Sequence, residues 1–130
     1  MLSQSEIEKI KSVVSSKKGL AYAILFGSAL RRLFPHSDID LMIGGELTPL
    51  EKIDLSMELT VELGRQIDII SSGEGRCEVV LKAFSSGVPV FISDRGRLKK
   101  DYLKNYHLCD QKNPLRRIRL ERLKRVYGNG

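Results

Sequence analysis

The chain has 130 residues, with 42% hydrophobic and 29% charged residues and a net charge of +6, which suits one soluble globular domain over 1–130 and excludes a collagen-like or low-complexity chain. No window approaches the ~18 uninterrupted apolar residues of a membrane span, and the start lacks the apolar block of a signal peptide, so a cytoplasmic address is expected. The charge is uneven: residues 95–130 carry 12 Lys/Arg against 3 Asp/Glu, whereas residues 1–94 carry 10 against 13.

The first predicted element is a helix, with Ser5 and Glu8 as a capping box and Ile7, Ile10, Val13 and Val14 as its apolar stripe, stopped by Gly19. Residues 21–26, AYAILF, read as a buried strand ending at Gly27-Ser28. Residues 28–33 fit one helical turn before Pro35. The second strand runs from Asp38 to Ile43, with Asp38 and Asp40 on one face and Ile39, Leu41 and Ile43 on the other. Thr48, Pro49 and Glu51 form a strong helix start, and that helix reaches about Leu63 with Leu50, Ile53, Met57 and Val61 along its apolar stripe.

A third strand, Gln66 to Ile70, carries Asp68 in its middle. A helix from about Arg76 to Phe84 follows, then a fourth strand from Val88 to Ile92, where Pro89 points to an edge position or the strand's first turn. Further helices are expected over Leu98 to Tyr106 and, after Asn113-Pro114, over residues 114–127. In the last of these, Leu115, Ile118, Leu123 and Val126 are apolar and most of the rest is Arg and Lys. Alternating strands and helices place the chain in the mixed α/β (α+β) class. Cys77 and Cys109, 32 positions apart, match no metal or redox spacing and read as two reduced, apolar packers.

The carboxylates carry the chemistry. Asp38, Asp40 and Asp68 each lie in an otherwise apolar strand, where charge is costly unless partnered. Two positions apart on a strand, Asp38 and Asp40 project side by side, and like charges held that close are kept where a cation neutralises them. Hard oxygen donors suit Mg²⁺, which takes one or two carboxylates plus substrate phosphates. If the third strand pairs beside the second, Asp68 joins that face, and three carboxylates suffice for two metal ions ~3.5–4 Å apart, as in nucleotidyl displacement. Taken alone, Asp-x-Asp also suits two solvated charges on an edge strand. The Gly27-Ser28 turn upstream changes that balance, because glycine admits a phosphate to the backbone and a helix start attracts anions.

The stretch GSALRRLFPHSDIDLMI, residues 27–43, together with GRQIDII, residues 64–70, resembles the minimal nucleotidyltransferases of the DNA polymerase β superfamily. That resemblance implies a small mixed β-sheet with helices packed mainly on one face. It implies that Gly27 and Ser28, with Arg31 at the matching position, bind the triphosphate. It implies that Asp38 and Asp40 ligate Mg²⁺ and that Asp68 completes the metal site and helps deprotonate the acceptor hydroxyl. Two positions depart from the pattern: the gap from Ser28 to Asp38 is one residue shorter than the commonest form, and Arg32 stands where the family often has glycine. His36, in the same loop, is left outside the catalytic set.

The implied reaction moves a nucleoside monophosphate, AMP from ATP, onto a hydroxyl. Stand-alone members of this family work beside HEPN-domain proteins in toxin–antitoxin pairs, some by transferring AMP to a tyrosine of the toxin, and that antitoxin role is the expectation here. The rivals are an inactive module that neutralises its partner by contact alone and a nucleic-acid binder built on the basic tail. Few aromatic residues (6%) and no Trp weigh against base stacking. The apolar stripe of residues 114–127 equally suits an acidic partner or a second copy of the chain.

Overall fold

The computed structural model describes residues 3–27, 38–74 and 77–112, with side chains up to residue 109. Its elements are α1 (Gln4–Ser15), β1 (Leu20–Phe26), β2 (Ile39–Gly45), α2 (Pro49–Leu63), β3 (Ile67–Ser71), α3 (Cys77–Ser86), β4 (Val88–Ile92) and α4 (Arg95–Lys112). The expected basic helix over 114–127 lies outside the described residues. Among those described, no helix is long and apolar enough to cross a membrane.

The strands form one mixed sheet in the order β3-β2-β1-β4. β1 pairs antiparallel with both β2 and β4, and β2 pairs parallel with β3. The parallel pair needs a crossover, and α2 supplies it. Pro89 sits in β4, which is an edge strand, the place a residue without an N–H is tolerated.

The mixed class holds, but helices cover both faces of the sheet rather than mainly one. Ala23, Leu25, Ile39, Leu41 and Ile43 pack with Val14, Leu55 and Leu59 of α1 and α2. The alternate residues Tyr22, Ile24 and Met42 pack with Phe84 and Tyr102 of α3 and α4. The reason is visible in β1: LAYAILF has no polar alternation, so both of its faces need apolar cover.

Three local expectations are corrected. The cap of α1 is Ser3 with Glu6, two residues before the expected pair; both reciprocal hydrogen bonds are made. Burial works against ionised Glu6, but its bonds to Ser3 and its ion pair with Arg65 outweigh this and lower its pKa. The second correction concerns α2, whose Thr48–Glu51 cap is as expected. Its buried residues are Leu55 and Leu59, while Leu50, Ile53, Met57 and Val61 face outward. The third concerns the cysteines. Cys77 and Cys109 form a disulfide between α3 and α4, with Cα atoms 5.7 Å apart. Their separation in sequence hides a proximity that only helix packing creates.

Candidate functional site

The register of the sheet sets the site. Asp40, near the start of β2, lies opposite Phe26 at the end of β1 and opposite Asp68 in β3. Parallel pairing without a slip puts Asp40 and Asp68 on the same face as neighbours, as the two-residue period of a strand requires. Asp38 immediately precedes β2 and is exposed, Asp40 is half-buried, and Asp68 is exposed on the edge strand.

The electrostatics follow from this placement. Burial pushes the pKa of Asp40 above the ordinary Asp value; the charges of Asp68 and then Asp38 push it the same way. Asp68 and Asp38 are therefore both close enough to act on Asp40, which is the frustrated member. No described cation is among the causes acting on Asp40.

Gly27 closes the site from the β1 side. Its φ is +86°, in the region that favours glycine, and a side chain there would run into the Asp40 carboxylate. The turn thus lays bare backbone against the Asp40 side chain. This is the arrangement expected of a glycine that brings the chain close to a ligand, here with the first residue of the Gly-Ser pair. Ser28 and Arg31, the other expected triphosphate contacts, and His36 lie outside the described residues.

A cleft of about 930 Å³ opens beside this face and wraps the β3 edge; its walls include Gly27, Asp40, Asp68 and Ile53. Lys52 from α2 and Lys82 from α3 also line it. Lys52 is bridged to Glu74 at 2.7 Å, and Lys82 is exposed. Sequence reasoning passed over both lysines. Neither carries a mark in its local sequence, and only tertiary packing brings them to one cleft.

The donor chemistry fits a small hard cation. Asp40 and Asp68 supply two adjacent carboxylates whose mutual repulsion a cation relieves, and Mg²⁺ commonly takes one or two carboxylates while phosphates and water fill the rest. Among the described residues no group of three or more His, Cys, Asp or Glu is gathered closely enough to hold a metal. As they stand, Asp40 and Asp68 share a face and Asp38 adds its charge to Asp40, but the three do not form a three-ligand cluster.

The family model for "Polymerase beta, Nucleotidyltransferase" matches residues 8–96, which includes all three aspartates and the Gly27-Ser28 turn. No curated protein sequence matches significantly. Several solved structures share the fold. A chain of the MntA–HepT toxin–antitoxin crystal structure aligns with a TM-score of 0.68 at 14% identity, covering 93% of this chain and 98% of that one. A chain of the tri-AMPylated Shewanella oneidensis HEPN toxin in complex with MNT antitoxin aligns with a TM-score of 0.68 at 15% identity, covering 94% and 98%. A toxin–antitoxin structure with AMP-PNP aligns with a TM-score of 0.67 at 16% identity, again over 94% and 98%. At such identities the likeness is one of fold.

Proposed function

The chain belongs to the polymerase β nucleotidyltransferase family, and from that premise we propose that it transfers AMP from ATP to a tyrosine hydroxyl of a HEPN-domain toxin and so acts as its antitoxin. The observation that carries this reading is the pairing of Asp40 with Asp68 on one face, against the Gly27 backbone, at the edge of an open cleft. The tri-AMPylated toxin found with an MNT antitoxin of the same fold supports the acceptor class.

In the reaction the acceptor oxygen bonds to the α-phosphorus while the bond to the β-phosphate oxygen breaks, and pyrophosphate leaves with that electron pair. Asp40 and Asp68 would hold Mg²⁺, with Asp38 adding negative charge beside them. When bound, Mg²⁺ offsets charge on the attacking and leaving oxygens. Gly27 and Ser28 receive the triphosphate on their backbone N–H groups, with the Ser28 hydroxyl and Arg31 as further donors. Asp68, exposed on the edge strand, faces incoming acceptor and accepts the hydroxyl proton. The chain's part is positioning and charge stabilisation, which is most of what such chemistry asks.

The test is incubation with ATP, Mg²⁺ and the cognate HEPN-domain protein, followed by intact mass. The expected result is one or more AMP adducts on the partner, absent with Asp40→Asn. Absence of any adduct, together with no triphosphate-dependent shift in melting temperature, would overturn the enzymatic reading in favour of neutralisation by contact.

A further inference from the structure

The two edges of the sheet are built differently. β4, at one end, carries Pro89 and meets β1 with a shift of register. Both features blunt an edge against further pairing. β3, at the other end, reads IDIIS; it holds no proline or lysine and pairs with β2 without a slip. A regular edge of this kind is a template for another strand.

Hydrogen bonding fixes which groups that edge presents. The Ile39 N–H donates to the Gln66 carbonyl at 3.0 Å, and the Ser72 N–H donates to the Ile43 carbonyl at 3.1 Å. Backbone groups turn to alternate sides along a strand, so residues 66, 68, 70 and 72 face β2 while Ile67, Ile69 and Ser71 face outward. The Ile67 carbonyl accepts from the Ser56 hydroxyl at 3.2 Å, and the Ser71 carbonyl accepts from the Glu74 N–H at 3.0 Å. Among the described residues, Ile69 is thus the position of β3 that turns both an N–H and an uncommitted C=O off the sheet.

Ile69 lines the same cleft as Asp40 and Asp68. Ile67 and Ile69 pack on the α2 side with Leu55 and Leu59, whereas Met42 and Ile70 pack on the α3 side with Val80 and Phe84. Asp40 and Asp68 stand two residues from Met42 and Ile70, so both carboxylates share the α3 side. There α3 supplies Val79, 39% exposed, and Lys82 to the cleft wall. A strand added at Ile69 sets alternate side chains beside the two carboxylates, against one apolar and one cationic residue.

Resting on the reading of this chain as a nucleotidyltransferase that modifies a tyrosine, we propose that the acceptor segment of the partner protein binds as an extended fifth strand on β3. Its backbone pairs with Ile69, and its tyrosine stands opposite Asp68 on the face that holds Asp40. The ring packs on Val79, and an acidic residue two positions from the tyrosine meets Lys82. The occupant is an acceptor segment rather than a second copy of the chain, because β3 paired with β3 would fill both clefts and leave no path to the carboxylates.

Residue-resolved hydrogen exchange by NMR, on the chain with and without the cognate HEPN-domain protein and with no nucleotide, tests the pairing. The Ile69 N–H should slow about tenfold in the complex relative to those of Asp68 and Ile70, which already face β2. Two variants read the same bond in the reaction. Ile69→Pro removes the N–H at an edge position, where proline is tolerated, and Ile69→Ala shortens the side chain but keeps the N–H. AMP transfer to the partner should be about tenfold slower with proline than with alanine, while both variants bind AMP-PNP alike. Ile69 protection already complete in the free chain, or equal, measurable transfer by the two variants, would overturn the proposal. Transfer by the wild type with no Ile69 protection in the complex would also overturn it, and would leave the AMP-transfer reading intact.

Discussion

Replacing Asp40 with Asn should stabilise the magnesium-free protein while it abolishes AMP transfer. The carboxylate is half-buried and faces Asp68 across adjacent strands, which lie ~4.8 Å apart. Two unit charges at that separation repel by ~0.9 kcal/mol in water and ~3.5 kcal/mol at an effective dielectric of 20. Because Asp68 is exposed, solvent screening favours the lower end, and ~1 kcal/mol is the reasonable figure. For a chain of this size that is a rise of about 3–5 °C in Tm. The pH dependence gives a second reading. Burial, Asp68 and Asp38 raise the folded-state pKa of Asp40, so protonation favours the folded state and the penalty of the charge appears as pH rises through that value. The gain from Asn should therefore be full near neutral pH and vanish below the ordinary Asp value of 3.8. Calorimetry in EDTA across this range measures it, and adding Mg²⁺ should raise the Tm of the wild type more than that of the variant. An Asn variant that melts lower than wild type in EDTA, or whose advantage persists unchanged in acid, would refute the argument from charge repulsion.

Other outcomes follow from single contacts. Leu59→Ala, at a fully buried position of α2, should cost ~3 kcal/mol in denaturant unfolding, whereas Val61→Ala, 81% exposed, should stay within ~0.5 kcal/mol. Equal effects would place the wrong face of α2 inward. Gly27→Ala combines a positive φ with a collision against the Asp40 carboxylate, so it should destabilise by ~1–2 kcal/mol and weaken binding of AMP-PNP, read by calorimetric titration. Dithiothreitol should lower stability by ~3–4 kcal/mol through release of the 32-residue loop closed by Cys77 and Cys109, and thiol titration of the denatured chain should find no free thiol before reduction.

Much of the local structure was legible in the sequence because its signals are local. The Thr48-Pro49-Glu51 start of α2, the apolar run of β1 and the Val88–Ile92 strand are each fixed by residues within a few positions of one another. The Asp38–Asp40 spacing and the resemblance around it also marked the site, because a charge inside an apolar strand is anomalous whatever the fold. Periodicity failed on α2. It found an apolar stripe but not its direction, since Leu50 to Val61 and the Leu55–Leu59 pair both fit a helical repeat and only the position of the sheet chooses between them.

The order of residues along the chain determined which segments become strands and helices, and it placed a lone carboxylate in each of two apolar strands. Only the tertiary structure decided that those strands run parallel in a register that sets Asp40 beside Asp68, that Lys52 and Lys82 reach the same cleft, and that Cys77 meets Cys109. The division has a physical cause. Backbone preference and hydrophobic period act over a few residues, whereas strand register and helix packing are settled by burying distant apolar faces together, and a slip of one residue in β3 would have turned Asp68 away from its partner.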